Sequence, residues 1–437
     1  MHKDVICSLD IGSSFIRALI AQASSPDLKS EKILSYCKSP TKGFSKGVVT
    51  NISLLSDAIE ETVNKAEIKA NVKIRKVIAN ISGVHIRTFK SRGSVHISDR
   101  PSEITEEDIT RCIESARLIA MSLDREVLEL ISEKFYIDDK LEIDDPHGLF
   151  GSKLDVDLNI ITSLVSILHN LTKAINLAGY EVEDIVTSAR GTSLAIFDEK
   201  RLEEGAILID VGKDVTEVAL FDKSRLRDCF YFPFGSDDLT QVLQDKLRIL
   251  FEEAEELRIK YGIVTKSNQE MYDSTEVLIP SIKDREHKKK VLEGLDVTLG
   301  IDNSNIAEVE TKSRAISRRE ISNLLSPKIE DIMQDVYKKI EPFLKERRKV
   351  PYTNIIGGVS KMDGFIESVE EIFGIPIEMG RLYNADDMKD DDFSCALGLF
   401  RLEARRHAKK RTSSMHDARN IFSRLILKIK QLFAEYF

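Results

Sequence analysis

Short apolar runs that end at turn residues alternate with segments of helical spacing along most of the chain. The apolar runs predict strands at 5–9, 15–21, 77–81, 94–98, 135–137, 153–158, 205–212, 215–221, 276–279 and 354–356. Apolar residues three or four positions apart predict helices at 53–66, 103–123, 164–178, 239–261 (one long helix or two), 317–345 and 365–373. Because strands and helices alternate, the pattern indicates an α/β fold.

One unit, an apolar strand followed by an Asp-x-Gly turn and a second strand, occurs twice. The turn contains Asp10 and Gly12 in the first copy, and Asp210 and Gly212 in the second, 200 positions later. A single turn of this kind is an ordinary hairpin. Two of them at matching positions indicate a duplicated fold.

These turns have a chemistry of their own. Glycine lets the backbone approach a ligand, and the N–H groups that follow it can point at a phosphate. The acid can hold a magnesium ion through water, since magnesium usually keeps several of its waters. Two such turns that face each other would clamp the phosphates of a nucleotide. A third loop, Gly357-Gly358, follows a predicted strand and would let an adenine or ribose lie against the backbone, although such loops are common in α/β folds.

Composition excludes several classes of protein. The 437 residues are 42% hydrophobic, which is enough for more than one domain and too apolar for a disordered chain. The net charge of −9 gives no case for a nucleic-acid binder. The apolar stretch near the N-terminus is broken at Asp10, and no run of about 18 apolar residues follows, so neither a signal peptide nor a transmembrane helix is expected. Five scattered cysteines indicate reduced thiols in the cytosol.

The C-terminal segment differs from the rest of the chain. Residues 401–437 carry ten Lys or Arg and three Asp or Glu, a net charge of +7, while the other 400 residues carry −16. A polar linker is predicted at 403–418, and an amphipathic helix at 419–437. Such a helix would lie on an anionic membrane or pack against protein, and the sequence alone favours neither. Its candidate membrane residues are Ile421, Phe422, Leu425, Ile426, Ile429, Leu432 and Phe433 on the apolar face, with Arg424 and Lys428 on the other.

Several segments together resemble a known family. The turns at Asp10–Ser14 and Asp210–Gly212, the segment Ala254–Gly262, and Gly357-Gly358 with Gly364 follow the order found in actin-like ATPases. Within that superfamily the chain resembles the bacterial cell-division family FtsA. The more specific resemblances, which extend from residue 5 to about residue 400, are Ser82–Ile86, Asp145–Gly151, Ser317–Ile321 and Phe373–Gly380.

The sequence departs from the family pattern around both turns. Lys213 and Asp214 stand where the second turn usually has glycines, and Phe15 stands where a lysine often follows the first turn. Val359 and Ser360 replace usually small residues. Lys213 could reach a phosphate as a point charge, but Asp214 would repel it. The chain is therefore expected to bind ATP, with weak or absent hydrolysis and no strong general base.

The resemblance implies an actin-like, ribonuclease-H-like α/β fold with two domains, the FtsA-type subdomain 1C and a C-terminal amphipathic helix. The implied divisions are subdomain 1A at 1–81 (with 163–198 and 379–402), 1C at 82–162, 2A at 199–262 (with 318–378), 2B at 263–317, a linker at 403–418 and a membrane-targeting helix at 419–437.

It also implies a set of site residues for ATP and Mg2+. Asp10 and Asp210 would hold the metal through water. The other implied contacts are Gly12, Ser13 and Ser14 with Gly212 and Lys213 at the phosphates, Glu255 and Arg258 at the ribose, and Gly357 and Gly358 at the adenine.

The implied function is to tether filaments of the tubulin-like protein FtsZ to the inner face of the cytoplasmic membrane at the division site. Implied partners are the FtsZ tail, further copies of the chain, an anionic membrane surface and later divisome proteins. The FtsZ tail is expected at Arg314, Arg318 and Arg319, beside Lys288, Lys289 and Lys290.

Other functions within the superfamily remain as alternatives. A sugar kinase would need a catalytic aspartate in the cleft, and a chaperone would need a β-sandwich for which no residues remain. An actin-like pilus-assembly ATPase of the PilM type shares the core, but the terminal helix and linker argue against it. A degenerate ATPase of the superfamily, with no bound nucleotide, is a further alternative because of the altered second turn.

Overall fold

The computed structural model describes residues 5–23, 31–120, 122–264, 276–280, 313–385, 388 and 390–413. Its strands are β1 Val5–Ile11, β2 Phe15–Ala23, β3 Glu31–Pro40, β4 Phe44–Ser45, β5 Val48–Val49, β6 Lys76–Ile81, β7 Arg87–His96, β8 Ser102–Glu103, β9 Arg125–Ile137, β10 Leu141–Ile143, β11 Phe150–Gly151, β12 Lys153–Leu164, β13 Glu181–Thr187, β14 Ala206–Val211, β15 Thr216–Asp222, β16 Arg225–Phe232, β17 Glu276–Pro280, β18 Ser313–Ser317, β19 Tyr352–Ile356 and β20 Glu378–Met379. Its helices are α1 Ile52–Ala70, α2 Glu106–Ala120, α3 Val165–Leu177, α4 Ser188–Ile196, α5 Glu199–Glu204, α6 Ser236–Leu247, α7 Phe251–Tyr261, α8 Arg318–Lys345, α9 Phe365–Phe373 and α10 Ser394–Ser413. No helix in these described ranges has the length and apolar character needed to cross a membrane.

Two five-stranded sheets share one topology. The first has the order β13-β6-β1-β2-β3 and the second the order β20-β19-β14-β15-β16. In each, an antiparallel hairpin (β1–β2 or β14–β15) is flanked by an antiparallel strand on one side and two parallel strands on the other. The prediction of a duplicated fold is therefore confirmed.

The first sheet is buried on both faces, because its strand residues alternate between two cores. Leu9 and Ile20 pack in the same cluster as Ile59 of α1. Ile6 and Leu19 point the other way and pack in a cluster with Phe400 of α10. This burial explains why β1 and β2 appear in the sequence as nearly continuous apolar runs.

The segment between β6 and α3 forms a separate four-stranded antiparallel sheet of order β10-β9-β12-β7, covered by α2. A capping box begins α2: the Thr105 N–H donates to Asp108 Oδ2 at 3.0 Å, and the Asp108 N–H donates to Thr105 Oγ1 at 3.3 Å. This sheet packs against β16, where Asn159 Nδ2 donates to the Arg227 carbonyl at 2.7 Å. The inserted subdomain thereby contacts the edge of the second sheet.

The structure decides between the alternatives of one sequence prediction and corrects another. The segment predicted at 239–261 as one helix or two is two helices, because Arg248 takes a left-handed conformation (φ +55°) at the end of α6. The prediction of a polar linker at 403–418 is wrong for residues 403–413, where α10 continues. Glu403 is buried there, and Arg406 Nη1 lies 2.6 Å from Asp184 Oδ2 of β13, an ion pair that ties this turn to the body. The predicted helix at 419–437 lies outside the described residues.

Candidate functional site

A cavity of about 330 Å³ lies where the two sheets face each other. Both hairpin turns line it, and so does the loop that follows β19. The predicted residues that it brings together are Asp10, Gly12, Ser13, Ser14, Asp210, Gly212, Lys213, Gly357 and Gly358. The two turns have the same local geometry, since Gly12 N–H donates to the Phe15 carbonyl and Gly212 N–H to the Val215 carbonyl, each at 3.1 Å.

Asp10 is held rigidly by two neighbours. Asn80 Nδ2 donates to Asp10 Oδ1 at 2.7 Å, while Asn80 Oδ1 accepts the Ile11 N–H at 2.6 Å. Arg17 Nη1 lies 3.2 Å from Asp10 Oδ2. Burial raises the pKa of Asp10 above its usual value, although the charge of Arg17 opposes that shift. The hydrogen bonds thus fix the orientation of the Asp10 carboxylate, and the charge of Arg17 offsets only part of the effect of burial on its pKa.

Asp210 is the counterpart of Asp10 in the second half. Burial, together with the negative charge of Asp10, raises the pKa of Asp210 to about 6. A cation between two buried carboxylates stabilises their charged forms. Oxygen ligands of this kind suit Mg2+ held through its waters. The acids of the two turns therefore fit a hydrated magnesium ion.

Gly357 allows the third loop to approach Asp210 closely. Its φ is +94°, and a Cβ atom at this position would lie 2.2 Å from the Val211 carbonyl oxygen and 2.7 Å from Asp210 Oδ1. The following residue, Gly358, would have nothing within 4 Å of an added Cβ. Of the two glycines, Gly357 is required by the backbone and Gly358 leaves open space beside the cavity.

The two charged residues of the second turn, Lys213 and Asp214, both contact other protein groups. Lys213 Nζ lies 3.8 Å from Asp237 Oδ2. Asp214 is buried, and its Oδ2 accepts hydrogen bonds from the first half: from Ser45 Oγ at 2.9 Å and from the Lys46 N–H at 2.8 Å. Asp214 therefore connects the two halves beside the cavity.

Glu217, which was not predicted as a site residue, lies opposite Asp210 in the β14–β15 pairing and lines the cavity. Its carboxylate accepts hydrogen bonds from Ser82 Oγ at 3.1 Å and from the Ala189 N–H at 3.2 Å. Burial raises the pKa of Glu217 to about 7. The signal in the sequence was an acid inside an apolar strand.

Asn80 and Arg17 also line the cavity and were not predicted as site residues. Each is a polar residue within a strand whose other residues are mainly apolar. A polar residue within an otherwise apolar strand indicates a buried polar site next to that residue.

The structure does not bring Glu255 and Arg258 to the cavity wall. Arg258 is buried, and its Nε donates to Thr240 Oγ1 at 2.9 Å, which ties α7 to α6. Glu255 lies on the same helix, 3.9 Å from the Arg258 guanidinium. Burial lowers the pKa of Arg258.

The three arginines predicted to bind a partner lie around the start of α8. Arg314 Nη2 donates to the Leu247 carbonyl at 2.6 Å. Arg318 Nε donates to the Tyr261 carbonyl at 3.2 Å, and its Nη2 lies 2.7 Å from Asp363 Oδ2. Arg319 is exposed. Lys288–Lys290 and the predicted membrane residues lie outside the described part of the chain.

Solved structures with similar folds include a PilM–PilN type IV pilus biogenesis complex, which matches 92% of this chain and 98% of its own with a TM-score of 0.59 and 13% identity. MreB5 of Spiroplasma citri, bound to ADP, matches 95% of this chain and 99% of its own with a TM-score of 0.52 and 13% identity. These similarities confirm the prediction of an actin-like fold.

Sequence comparisons identify the family. A family model described as "SHS2 domain inserted in FTSA" matches residues 83–162, and one described as "Cell division protein FtsA" matches residues 207–398. The cell division protein FtsA of Neisseria meningitidis serogroup B is 30% identical over 402 residues, which are 90% of this chain and 89% of the relative. FtsA of Pseudomonas aeruginosa is 26% identical, over 88% of this chain and 85% of the relative. With its actin-like fold and these matches along nearly its whole length, the chain belongs to the family of the cell division protein FtsA.

Proposed function

We propose that this chain binds ATP with Mg2+ and tethers FtsZ filaments to the inner face of the cytoplasmic membrane during division. The observation that carries the ATP site is the pair of matched turns at Gly12 and Gly212, which line one cavity and each follow an aspartate. Turns of this kind direct backbone N–H groups at phosphates. The similar fold of MreB5, whose structure contains ADP, supports a nucleotide as the ligand.

In this site Asp10 and Asp210 hold a hydrated Mg2+, since both offer carboxylate oxygens and a cation offsets the burial that raises their pKa values. Gly12, Ser13 and Ser14 contact the phosphates from one side, and Gly212 contacts them from the other. Gly357 and Gly358 lie beside the adenine. The ion neutralises the negative charge of the two buried aspartates, which the protein itself compensates only in part.

Weak or absent hydrolysis is expected. Glu217 is a buried acid on the cavity wall, but its carboxylate is already engaged by Ser82 and by the backbone of Ala189. A general base needs to reach the water that it activates. We therefore propose a nucleotide that serves mainly as a structural ligand between the two halves.

The cellular role rests on family membership and on the charge of the C-terminal segment. Subdomains 1C and 2B are the proposed faces of a head-to-tail filament, a contact that need not close into a ring. The FtsZ tail docks near Arg314, Arg318 and Arg319. The amphipathic helix at 419–437 lies on anionic lipid, and the filament helps to recruit later divisome proteins.

Two measurements test these proposals separately. Titration of the full chain with a fluorescent ATP analogue and Mg2+ should give saturable binding that ATP displaces. No binding at high micromolar concentration would remove the nucleotide site. Co-sedimentation with anionic liposomes, with and without FtsZ, should depend on the segment from Arg419 onward. Equal sedimentation of a chain that ends at residue 418 would remove the membrane role.

A further inference from the structure

A histidine and two glutamates come together where the C-terminal part of α10 passes β13. Their ligand atoms, one from each of Glu183, Glu403 and His407, all lie within 4.8 Å of one another. Ligands bound to one zinc ion at about 2.0–2.2 Å lie roughly 3–4 Å apart, so only small side-chain movements separate this arrangement from coordination. The three residues are separate from those that line the nucleotide cavity.

The spacing along α10 brings two of the ligands together. Glu403 and His407 are four residues apart, so their side chains lie on one face of the helix. His407 Nε2 lies 3.1 Å from Glu403 Oε1. The side chain of Glu403 is only 3% exposed, whereas that of His407 is 27% exposed. An ion bound here would therefore be held by a buried carboxylate and would still be accessible from solvent.

The third ligand, Glu183, comes from an irregular position of β13. This strand pairs with consecutive residues of β6 through Val182 and Asp184, and the register shift between them leaves Glu183 as an extra residue. Regular alternation would send Glu183 and Asp184 to opposite faces of the strand. A bulge changes the direction of a side chain, and here both residues meet α10. Glu183 joins the cluster, and Asp184 Oδ2 lies 2.6 Å from Arg406 Nη1.

The charges of these side chains favour a divalent cation. Glu183, Asp184 and Glu403 are acids, and Arg406, whose Nη1 lies 3.2 Å from Glu403 Oε2, is the cation among them. Three negative charges against one positive charge leave two to be balanced when the imidazole is neutral. One imidazole nitrogen with two carboxylate oxygens suits Zn2+ better than Mg2+, which prefers oxygen ligands. We propose that Glu183, Glu403 and His407 bind Zn2+, with water at the remaining position.

Bound zinc would fasten the C-terminal part of α10 to β13. The ion pair between Arg406 and Asp184 already connects the two elements, and coordination by Glu183 and His407 adds a second connection. Because α10 continues to Ser413, the metal would stabilise the part of the chain that leads to the predicted helix at 419–437. This inference does not depend on the proposed ATP binding.

Titration of the full chain with Zn2+, in competition with a chromogenic chelator, tests the site. His407→Ala and Glu183→Gln should each weaken zinc binding about 10-fold or more, because each removes a direct ligand. His169→Ala and Glu60→Gln, which remove the same groups at exposed helix positions, should change the affinity by less than about 2-fold. Excess Mg2+ should not displace the zinc, since an imidazole ligand suits Mg2+ poorly.

The melting temperature separates zinc binding from a purely structural contact between His407 and Glu403. Zinc should raise the melting temperature of the unaltered chain, and both ligand variants should lose this rise. If His407→Ala unfolds the chain, Glu183→Gln, at an exposed position, serves alone. No saturable binding by the unaltered chain at about 100 µM Zn2+, equal affinity in the ligand variants and the controls, or displacement by Mg2+ would overturn the inference and leave the nucleotide site standing.

Discussion

The carboxylate of Asp214 accepts a 2.9 Å hydrogen bond from the hydroxyl of Ser45, which belongs to the other half of the molecule. The Lys46 N–H donates to the same oxygen at 2.8 Å. Asp214 stands where the resemblance noted in the sequence predicts a glycine. The charge that would repel a phosphate is thus used to connect the two halves beside the cavity.

Asp214→Ala should lower the free energy of unfolding by about 1–3 kcal/mol, because two donors lose a buried acceptor. It should also speed the release of a fluorescent ATP analogue, since the two halves separate more easily. Urea unfolding and stopped-flow displacement measure the two effects. Asp245→Ala on the exposed face of α6 is the control.

Ser45→Ala completes a double-mutant cycle with Asp214→Ala. If the hydrogen bond carries the effect, the double variant is less destabilised than the sum of the single variants. Strict additivity would mean that Ser45 and Asp214 act independently, contrary to this account.

Gly357→Ala should be damaging and Gly358→Ala tolerated. An added Cβ at Gly357 meets the Val211 carbonyl at 2.2 Å and Asp210 Oδ1 at 2.7 Å, at a φ of +94°. We expect a loss of about 1–3 kcal/mol in stability from the backbone strain, together with weaker ATP binding. At Gly358 an added Cβ meets nothing within 4 Å. Thermal unfolding of both variants measures the difference, and similar melting temperatures would contradict the assignment.

Substitutions at Arg318 and Arg319 should have different effects, one on stability and the other on binding of a partner. Arg318 contacts the Tyr261 carbonyl and Asp363, so Arg318→Ala should lower the melting temperature. Arg319 is exposed, so Arg319→Glu should leave the fold intact and weaken binding of an acidic FtsZ-tail peptide. Fluorescence anisotropy with the labelled peptide measures the affinity. Unchanged affinity in Arg319→Glu would move the docking site away from the start of α8.

Phe422→Glu combined with Leu425→Glu tests the predicted membrane helix. Two charges on the apolar face should abolish sedimentation with anionic liposomes, since burying charge in lipid is costly and the basic residues alone bind weakly. The matched control is Ser423→Glu, which adds a charge outside the predicted apolar set. Circular dichroism checks that the body of the chain stays folded. Undiminished sedimentation of the double variant would show that this segment does not bind through its apolar face.

The sequence predicted the turns of the site because they are local. An apolar strand, an acid and a glycine, repeated 200 positions later, were sufficient to place Asp10 and Asp210 in equivalent positions. Strands at the edge of a sheet were harder to predict. Both β3 and β16 mix charged and apolar residues, and neither was predicted, because most of their side chains are not fully buried and the strands therefore contain no continuous apolar run.

The supporting residues depend on tertiary structure. Asn80 lies 70 positions from the Asp10 that it orients, and Ser45 lies 169 positions from Asp214. No local pattern encodes such distances. For Arg258 the local pattern was misleading. The order of motifs predicted a ribose contact, but the packing of α7 on α6 directs its side chain to Thr240.

Glu217 should make the stability of the chain dependent on pH. Burial raises its pKa from 4.5 to about 7, so the folded state holds this proton more tightly than the unfolded state. The contribution of Glu217 to stability is therefore fully present below about pH 4.5 and is lost as the pH rises through 7, because the carboxyl must then ionise while buried. Glu217→Gln keeps the shape of the side chain and removes the ionisation. It should flatten the decline in the free energy of unfolding between pH 5 and 8, measured by urea unfolding without nucleotide. Glu60→Gln, at an exposed position on α1, is the control. A Glu217→Gln curve parallel to that of the unaltered chain would show that Glu217 does not titrate in this range.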